Sequence, residues 1–248
     1  MSLAASIQIT DQDVYQISST QGAEVLGQTA VTPSGRIFTY AQAGASNLAA
    51  GKLTSPAAVT ANYATRTLST SFAAGSTRIT ITLGSTATQD SFKGFWFVVT
   101  DGTGKGQGSY QVTGNTAATA GTSNATTVSI DGALNVALDN TSVVGLYPSQ
   151  QSALVVSASG SAPAIPVSGA PVVPVTAAYY FWNQTGGYAS ILSDDTSVVT
   201  KNAGGIASNS VDGAVELEVA ATVTRRVGYA PELMVANKYS PFVLTLDY

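Results

Sequence analysis

The chain lacks both cysteine and histidine. Without cysteine there is no disulfide bond and no cysteine-ligated metal site. Without histidine the chain lacks the commonest general base, the commonest transition-metal ligand and the usual triad of a serine hydrolase. These two absences remove the side chains on which much of enzyme chemistry depends.

Charged residues are also scarce, at 10% of the 248 residues against about 25% in ordinary soluble domains. The net charge is −4, and the ten lysines and arginines are scattered, with Arg225 and Arg226 as the only adjacent pair. This is a poor electrostatic footprint for nucleic acid, so we expect no nucleic-acid partner. A surface with so few charges must be covered by small polar side chains or by other subunits.

Long apolar runs are missing as well. No run reaches the roughly 18 apolar residues that a membrane-spanning helix needs, so we expect no membrane partner. The first ten residues lack the basic region and the long apolar core of a secretory signal. We therefore expect a protein that is made in a cytoplasm.

The patterns that are present are those of β-strands. Residues 95–100 are aromatic and β-branched, Asp101 and Gly102 give a turn signal, and residues 109–113 lead back, so residues 92–115 predict a β-hairpin. Residues 78–83 alternate between apolar and polar side chains and predict another strand. Strand signals recur about every ten residues, which is typical of a sandwich or a barrel.

Four prolines between residues 149 and 174 predict an extended connection, because proline fixes φ and removes a backbone donor. The sequence therefore predicts a mainly β protein with an extended N-terminal arm and two small β-sandwich or β-barrel-like lobes. The expected divisions are an arm over 1–65, a central β lobe over 66–148, the proline-rich connection over 149–174 and a C-terminal β lobe over 175–248.

Residues 179–182 are four consecutive aromatic side chains. In a strand they alternate between the two faces, which predicts burial on both sides, either in the protein's own core or against a partner. Gly186 and Gly187, which follow, predict a turn.

The glycine-rich residues 102–108 are similar to a phosphate-binding loop, but Lys105 is followed by Gly106 rather than by serine or threonine, and a strand follows instead of a helix. We interpret them as a turn. Asp194 and Asp195 have no EF-hand spacing around them and also predict a turn.

No lysine has a serine three residues before it, so the Ser-x-x-Lys signature is absent. A pair of carboxylates brought together only by folding stays open as a glycosidase site. We expect no enzyme, no catalytic residues, no cofactor and no metal site.

Several short motifs follow one another in a fixed order, at residues 35–41, 48–53, 94–102, 112–115, 180–186, 213–215 and 243–246. From about Gly35 to the end, the chain resembles a family of tailed-bacteriophage virion proteins encoded near the major capsid protein. Members of this family are taken to be head decoration (cement) proteins or other head-associated proteins, and the family implies no catalytic residues.

The resemblance implies a capsid decoration protein on the capsid surface of the virion, made in the host cytoplasm. It would stabilise the phage head by bridging subunits of the major capsid protein, as a homo-oligomer such as a trimer. The candidate contact residues are Arg36, Phe38, Tyr40, Leu48 and Lys52 near the N-terminus and Gly104, Lys105 and Gly106 at the hairpin tip.

Two alternative functions stay open. The first is a tail-fibre or adhesin module that binds a host glycan through exposed aromatic side chains, for which Trp96 and Trp182 are the candidates. The second is an enzyme such as a polysaccharide depolymerase.

Overall fold

The computed structural model describes residues 6–160, 166–219 and 225–246. Within these ranges the chain forms eighteen β-strands and two 3-10 helices, at Asp13–Tyr15 and Ala120–Thr122, so the predicted mainly β fold is confirmed. The strands are β1 (Ile7–Gln8), β2 (Ile17–Ser18), β3 (Thr29–Val31), β4 (Ile37–Gln42), β5 (Thr54–Pro56), β6 (Arg66–Thr67), β7 (Arg78–Thr82), β8 (Trp96–Asp101), β9 (Ser109–Asn115), β10 (Ala125–Ile130), β11 (Val143–Tyr147), β12 (Leu154–Val156), β13 (Ala170–Pro171), β14 (Tyr180–Leu192), β15 (Gly204–Ala207), β16 (Val215–Leu217), β17 (Gly228–Tyr229) and β18 (Tyr239–Thr245).

The strands belong to two compact units. The first unit combines the residues up to Ala57 with the residues from Gln150 onward, and the second is Ala58–Ser149. The first division differs from the expected separate arm and C-terminal lobe, because β4 pairs along β14 and both ends of the chain build one sheet. Such pairing between distant segments leaves no local signal in the sequence.

The predicted connection over 149–174 does more than link two lobes. Its described residues contribute β12, which pairs with β5, and β13, which pairs with β14. Residues 161–165 of this stretch, and residues 221–224 of a strand expected over 221–227, lie outside the described residues.

The first unit is built on a ten-stranded sheet with the order β1-β3-β4-β14-β18-β17-β15-β16, in which β2 and β13 also pair with β14. The central strand β14 pairs with β4 from Tyr180 to Gly186 and with β18 from Gly186 to Leu192. The turn predicted at Gly186 and Gly187 is therefore wrong. The glycines instead follow an irregularity in the pairing between Gln184 and Gly186, and the strand continues through them.

The strand β14 bends at this irregularity. The N–H of Gly51 donates to the carbonyl of Pro171, and Pro171 pairs with Asn183. The carbonyl of Gly51 accepts a hydrogen bond from the N–H of Leu192. Asn183 and Leu192 are nine positions apart, which corresponds to about 30 Å in a straight strand. The connection between them through Pro171 and Gly51 spans much less than this distance, so the two halves of β14 are turned toward each other.

The first half of β14 is buried on both faces by the protein's own core. Tyr180 and Trp182 pack with Phe38 and Tyr40, and the Trp182 ring meets the Tyr40 ring edge-on at 5.1 Å between centroids. Phe181 packs on the other face, with Ala41, Ala43, Leu48, Leu154 and Val175. Burial on both sides is confirmed, and the described core accounts for it.

The second unit contains a six-stranded sheet with the order β6-β11-β8-β9-β10-β7. The predicted hairpin is confirmed, because β8 and β9 pair antiparallel. The sheet curls until its two edge strands approach each other, and Arg66 Nε on β6 donates to the carbonyl of Thr82 on β7 at 3.1 Å. Alternate side chains such as Phe97 and Val128 are fully buried inside this nearly closed barrel.

The chain enters and leaves the second unit at neighbouring points. Pro56 at the end of β5 pairs with Leu154 of β12, and the N–H of Ala57 donates to the carbonyl of Ala153 at 3.2 Å. The second unit is thus an insertion between two paired strands of the first.

Candidate functional site

The first unit contains a groove of about 850 Å³, which we call the tyrosine groove. Its size lies within the range of small-ligand sites. It is bordered by the second half of β14, the start of β18 and residues 48–51 and 170–174. The side chains that the argument below uses are Tyr15, Arg36, Gln184, Tyr188, Ser190 and Tyr239.

One wall of the groove is the solvent face of the β14–β18 ladder. Ile191 and Phe242 point to the core on the opposite face and are fully buried. The residues that alternate with them face solvent, with Tyr188 exposed by 64% and Tyr239 by 51%. Tyr188 pairs with Val243 and Tyr239 with Leu192, and between these pairs lies the pair of Ser190 and Pro241. The two tyrosines therefore stand about 13 Å apart along the strand direction.

The groove also contains an open strand edge. In an antiparallel ladder the backbone groups point alternately toward the partner strand and away from it. Leu192 directs its N–H away from β18, to Gly51, so Tyr188 and Ser190 point to the same side. The described residues provide no hydrogen-bond partner for the N–H of either residue.

The acceptors along this edge are already engaged or covered. The carbonyl of Tyr188 accepts a hydrogen bond from Gln184 Nε2 at 2.8 Å. The carbonyl oxygen of Ser190 lies against Gly51, where an added Cβ would come within 2.5 Å of it. The edge therefore offers two open N–H donors, those of Tyr188 and Ser190, whereas the carbonyls of these residues are engaged or covered.

Gln184 lies at the bend of β14 and is only 1% exposed. Its Nε2 donates to the carbonyls of Gly186 and Tyr188, which fixes the orientation of the amide. Its Oε1 has no partner among the described residues. A buried acceptor without a donor is costly, and Gln184 is one of the residues that line the groove.

Gly51 leaves room for the Tyr239 ring. Its φ is +69°, and a Cβ at this residue would come within 2.8 Å of Cδ1 and Cε1 of Tyr239. Tyr239 can lie against the backbone of this residue only because no side chain is there.

The groove carries almost no net charge. Among the described residues, Arg36 is the only charged one that lines it. The Arg36 guanidinium lies 2.7 Å from the Asp11 carboxylate and 5.3 Å from the centre of the Phe38 ring. The hydrogen bond from Arg36 lowers the pKa of Asp11 below its ordinary value, so both partners are charged near neutral pH and offset each other.

The expected contact residues do not form one surface. Arg36 and Leu48 line the tyrosine groove. Phe38, Tyr40 and Leu48 have side chains buried in the core of the first unit, so assigning them to a contact surface was wrong.

The remaining expected contacts lie elsewhere. Lys52 packs beside Gly213. The connection between β8 and β9, in the second unit, contains Gly104, Lys105 and Gly106. The Nζ of the exposed Lys105 lies 3.7 Å from Oδ1 of Asp101.

The candidate glycan-stacking residues are also corrected in part. Trp182 is buried in the core of the first unit and offers no platform, whereas Trp96 is 41% exposed on β8. Tyr188 and Tyr239 were missed. The available signal was the alternation of polar and apolar side chains from Tyr188 to Ile191, which the turn expected at the two glycines obscured.

Asp194 is a buried carboxylate, and it caps a turn as the sequence predicted. Its Oδ1 accepts hydrogen bonds from the N–H groups of Thr196 and Ser197, and its Oδ2 accepts from the hydroxyls of Ser208 and Ser210. Burial raises the pKa of Asp194, but these hydrogen bonds outweigh burial and hold the pKa well below its ordinary value. The group is therefore ionised, and its oxygens are committed to the turn.

The described residues contain neither a membrane-spanning helix nor a cluster of metal-binding side chains. None of the helices is long and apolar enough to cross a membrane, and acidic side chains do not gather in threes around a possible metal position. Comparison of the chain with models of protein families, with curated proteins and with solved structures finds no match.

Proposed function

We propose that the protein is a non-enzymatic structural protein of a tailed-phage particle, of the head decoration type. The observation that carries the proposal is a surface poor in charge but rich in exposed large apolar side chains. Interface cores are depleted in charge and enriched in aromatic side chains, so such a surface suits burial against other subunits. The exposed side chains are Tyr15, Ile17, Val25, Ile37, Val59, Trp96, Tyr188, Val219, Tyr229, Leu233, Val235 and Tyr239.

The connection between β17 and β18 illustrates this surface. Leu233 and Val235 are both exposed there. Val235 is held in place because its N–H donates to the hydroxyl of Ser240 on β18. An aliphatic side chain gains about 1.5–3 kcal/mol when a partner buries it completely. Two such side chains on a fixed connection make this a contact surface for a neighbouring subunit.

The mechanism is mechanical. The protein binds the outer surface of the head, bridges neighbouring copies of the major capsid protein and adds buried area that resists internal DNA pressure. A homo-oligomer such as a trimer would strengthen attachment, because linked binding sites multiply weak individual affinities. The resemblance of the sequence to phage head-associated proteins supports the same location.

Co-sedimentation of the purified protein with phage heads stripped of it tests the proposal, with separated tails as the control. We expect saturable binding to heads alone. Replacing Leu233 and Val235 together by serine should weaken binding, whereas Val59→Ser, an exposed position in the second unit, serves as the matched control. Binding to tails, or to neither particle, would contradict the decoration function.

A further inference from the structure

We propose that the tyrosine groove is a binding site for an uncharged oligosaccharide. Leu233 and Val235 are not among the residues that line the groove, so the inference goes beyond the decoration function and does not depend on it. It would allow the protein to hold a neutral glycan whether or not it is attached to a head.

The first argument comes from the two exposed tyrosines. Aromatic rings offer large apolar faces with a polar edge. The faces of sugar rings carry C–H groups and pack on such surfaces, while their hydroxyls point outward. Tyr188 and Tyr239 flank the row of Ser190 and Pro241 at a separation that accommodates a short chain of sugar rings. The Tyr239 ring lies beside Gly51, where no side chain fills the space next to it.

The second argument comes from the polar groups. An added peptide strand needs alternating donors and acceptors along the edge that it joins. Here the carbonyls of Tyr188 and Ser190 are engaged or covered, and what stays open is the N–H of each residue. Hydroxyl groups accept hydrogen bonds from such N–H groups without needing a matching row of free carbonyls, so a polyhydroxylated ligand suits this edge better than a strand does.

The third argument is electrostatic. Of the described residues that line the groove, only Arg36 is charged, and it is paired with Asp11 at 2.7 Å. An acidic sugar would find no free cation at this site, and a basic ligand would find no free carboxylate. The groove therefore favours a neutral ligand.

The test uses the full-length protein on an array of neutral and acidic oligosaccharides, followed by calorimetric titration of each bound sugar. We expect binding to at least one neutral oligosaccharide. Tyr188→Ala and Tyr239→Ala should each raise its Kd by roughly two- to tenfold, which is the range expected for the loss of one aromatic contact. Trp96→Ala removes an exposed aromatic side chain from the second unit and is the matched control, for which we expect an unchanged Kd.

The same variants separate the alternatives. Binding that is lost in Trp96→Ala but kept in both tyrosine variants would overturn the assignment of the groove. A preference for acidic sugars, or no binding at millimolar sugar, would overturn it as well. An array of uncharged peptides is run in parallel, and peptide binding that Tyr188→Ala abolishes, without sugar binding, would show that the occupant is a polypeptide. Head co-sedimentation is scored separately, so either proposal can fail alone.

Discussion

The backbone N–H of Leu192 donates to the carbonyl of Gly51 across 2.9 Å, and this hydrogen bond holds residues 48–51 against the end of β14. Since Gly51 also lies beside the Tyr239 ring, one glycine stands both at the end of the groove and next to its aromatic wall.

Gly51→Ala should therefore destabilise the first unit and displace Tyr239. The φ of +69° alone costs about 1–2 kcal/mol for a residue with a Cβ. The new methyl group would also collide with Ser190 and Tyr239, which adds to the loss. Denaturant unfolding measures the change. Gly27→Ala is the control, because Gly27 has a φ of +90° and open space around its Cβ position. Equal losses in the two variants would show that packing at Gly51 contributes nothing.

Asp194 should make the protein sensitive to acid. Its folded-state pKa is lowered, so it stabilises the fold above its unfolded pKa near 3.9, and this stability is lost as the pH falls through the folded pKa. Asp194→Asn should reduce the free energy of unfolding by about 2 kcal/mol at pH 7, because hydrogen bonds to a buried charge are lost.

The difference between wild type and Asp194→Asn should shrink progressively below about pH 4. Unfolding curves between pH 7 and pH 2 measure it, with Asp195→Asn as the control at the exposed neighbour. A difference that stays constant over this range would contradict the role of the Asp194 charge.

The two tryptophans should be distinguishable by fluorescence. Trp182 is 6% exposed among aromatic rings, and Trp96 is 41% exposed. Acrylamide should quench the emission of a Trp182→Phe variant, which retains Trp96, more strongly than that of a Trp96→Phe variant. Trp182→Ala should cost about 3–5 kcal/mol of stability, whereas Trp96→Ala should have a small effect. Similar quenching of both variants would contradict the placement of Trp182 in the core.

The first unit should fold without the inserted second unit. Because Ala57 and Ala153 are joined by a backbone hydrogen bond, a short Gly/Ser linker can replace residues 58–149 without stretching β5 or β12. The shortened chain should unfold cooperatively and keep the buried environment of Trp182, as shown by thermal unfolding followed by fluorescence. A shortened chain with fully quenchable Trp182 emission would contradict the independence of the first unit.

The sequence predicted the parts of this fold that depend on neighbouring residues. The β8–β9 hairpin, the alternation of residues 78–82 and the two buried faces at Phe181 and Trp182 follow from side-chain period and turn chemistry. The sequence also predicts a strand over 134–138, which did not form; among these residues only Leu138 makes an isolated bridge, with Phe72.

The pairing of distant strands could not be predicted in this way. The same residues 180–192 are compatible with a turn at two glycines or with a bent strand, and the choice depends on β4, β13 and β18, which lie far away in the chain. The tyrosine groove depends on that bend. Its residues therefore became visible only in the structure.

The pairing of β4 with β14 also determines the order in which the protein can assemble during synthesis. Gln42 donates its side-chain amide to the carbonyl of Ala178, 136 residues later in the chain. The ribosome completes the second unit, whose strands pair among themselves, before it makes β14. Until then β4 exposes an unsatisfied edge and the apolar Phe38, and sheets with such long-range pairing form slowly. The early strands therefore have no β14 to pair with during the time in which the inserted barrel is already able to fold.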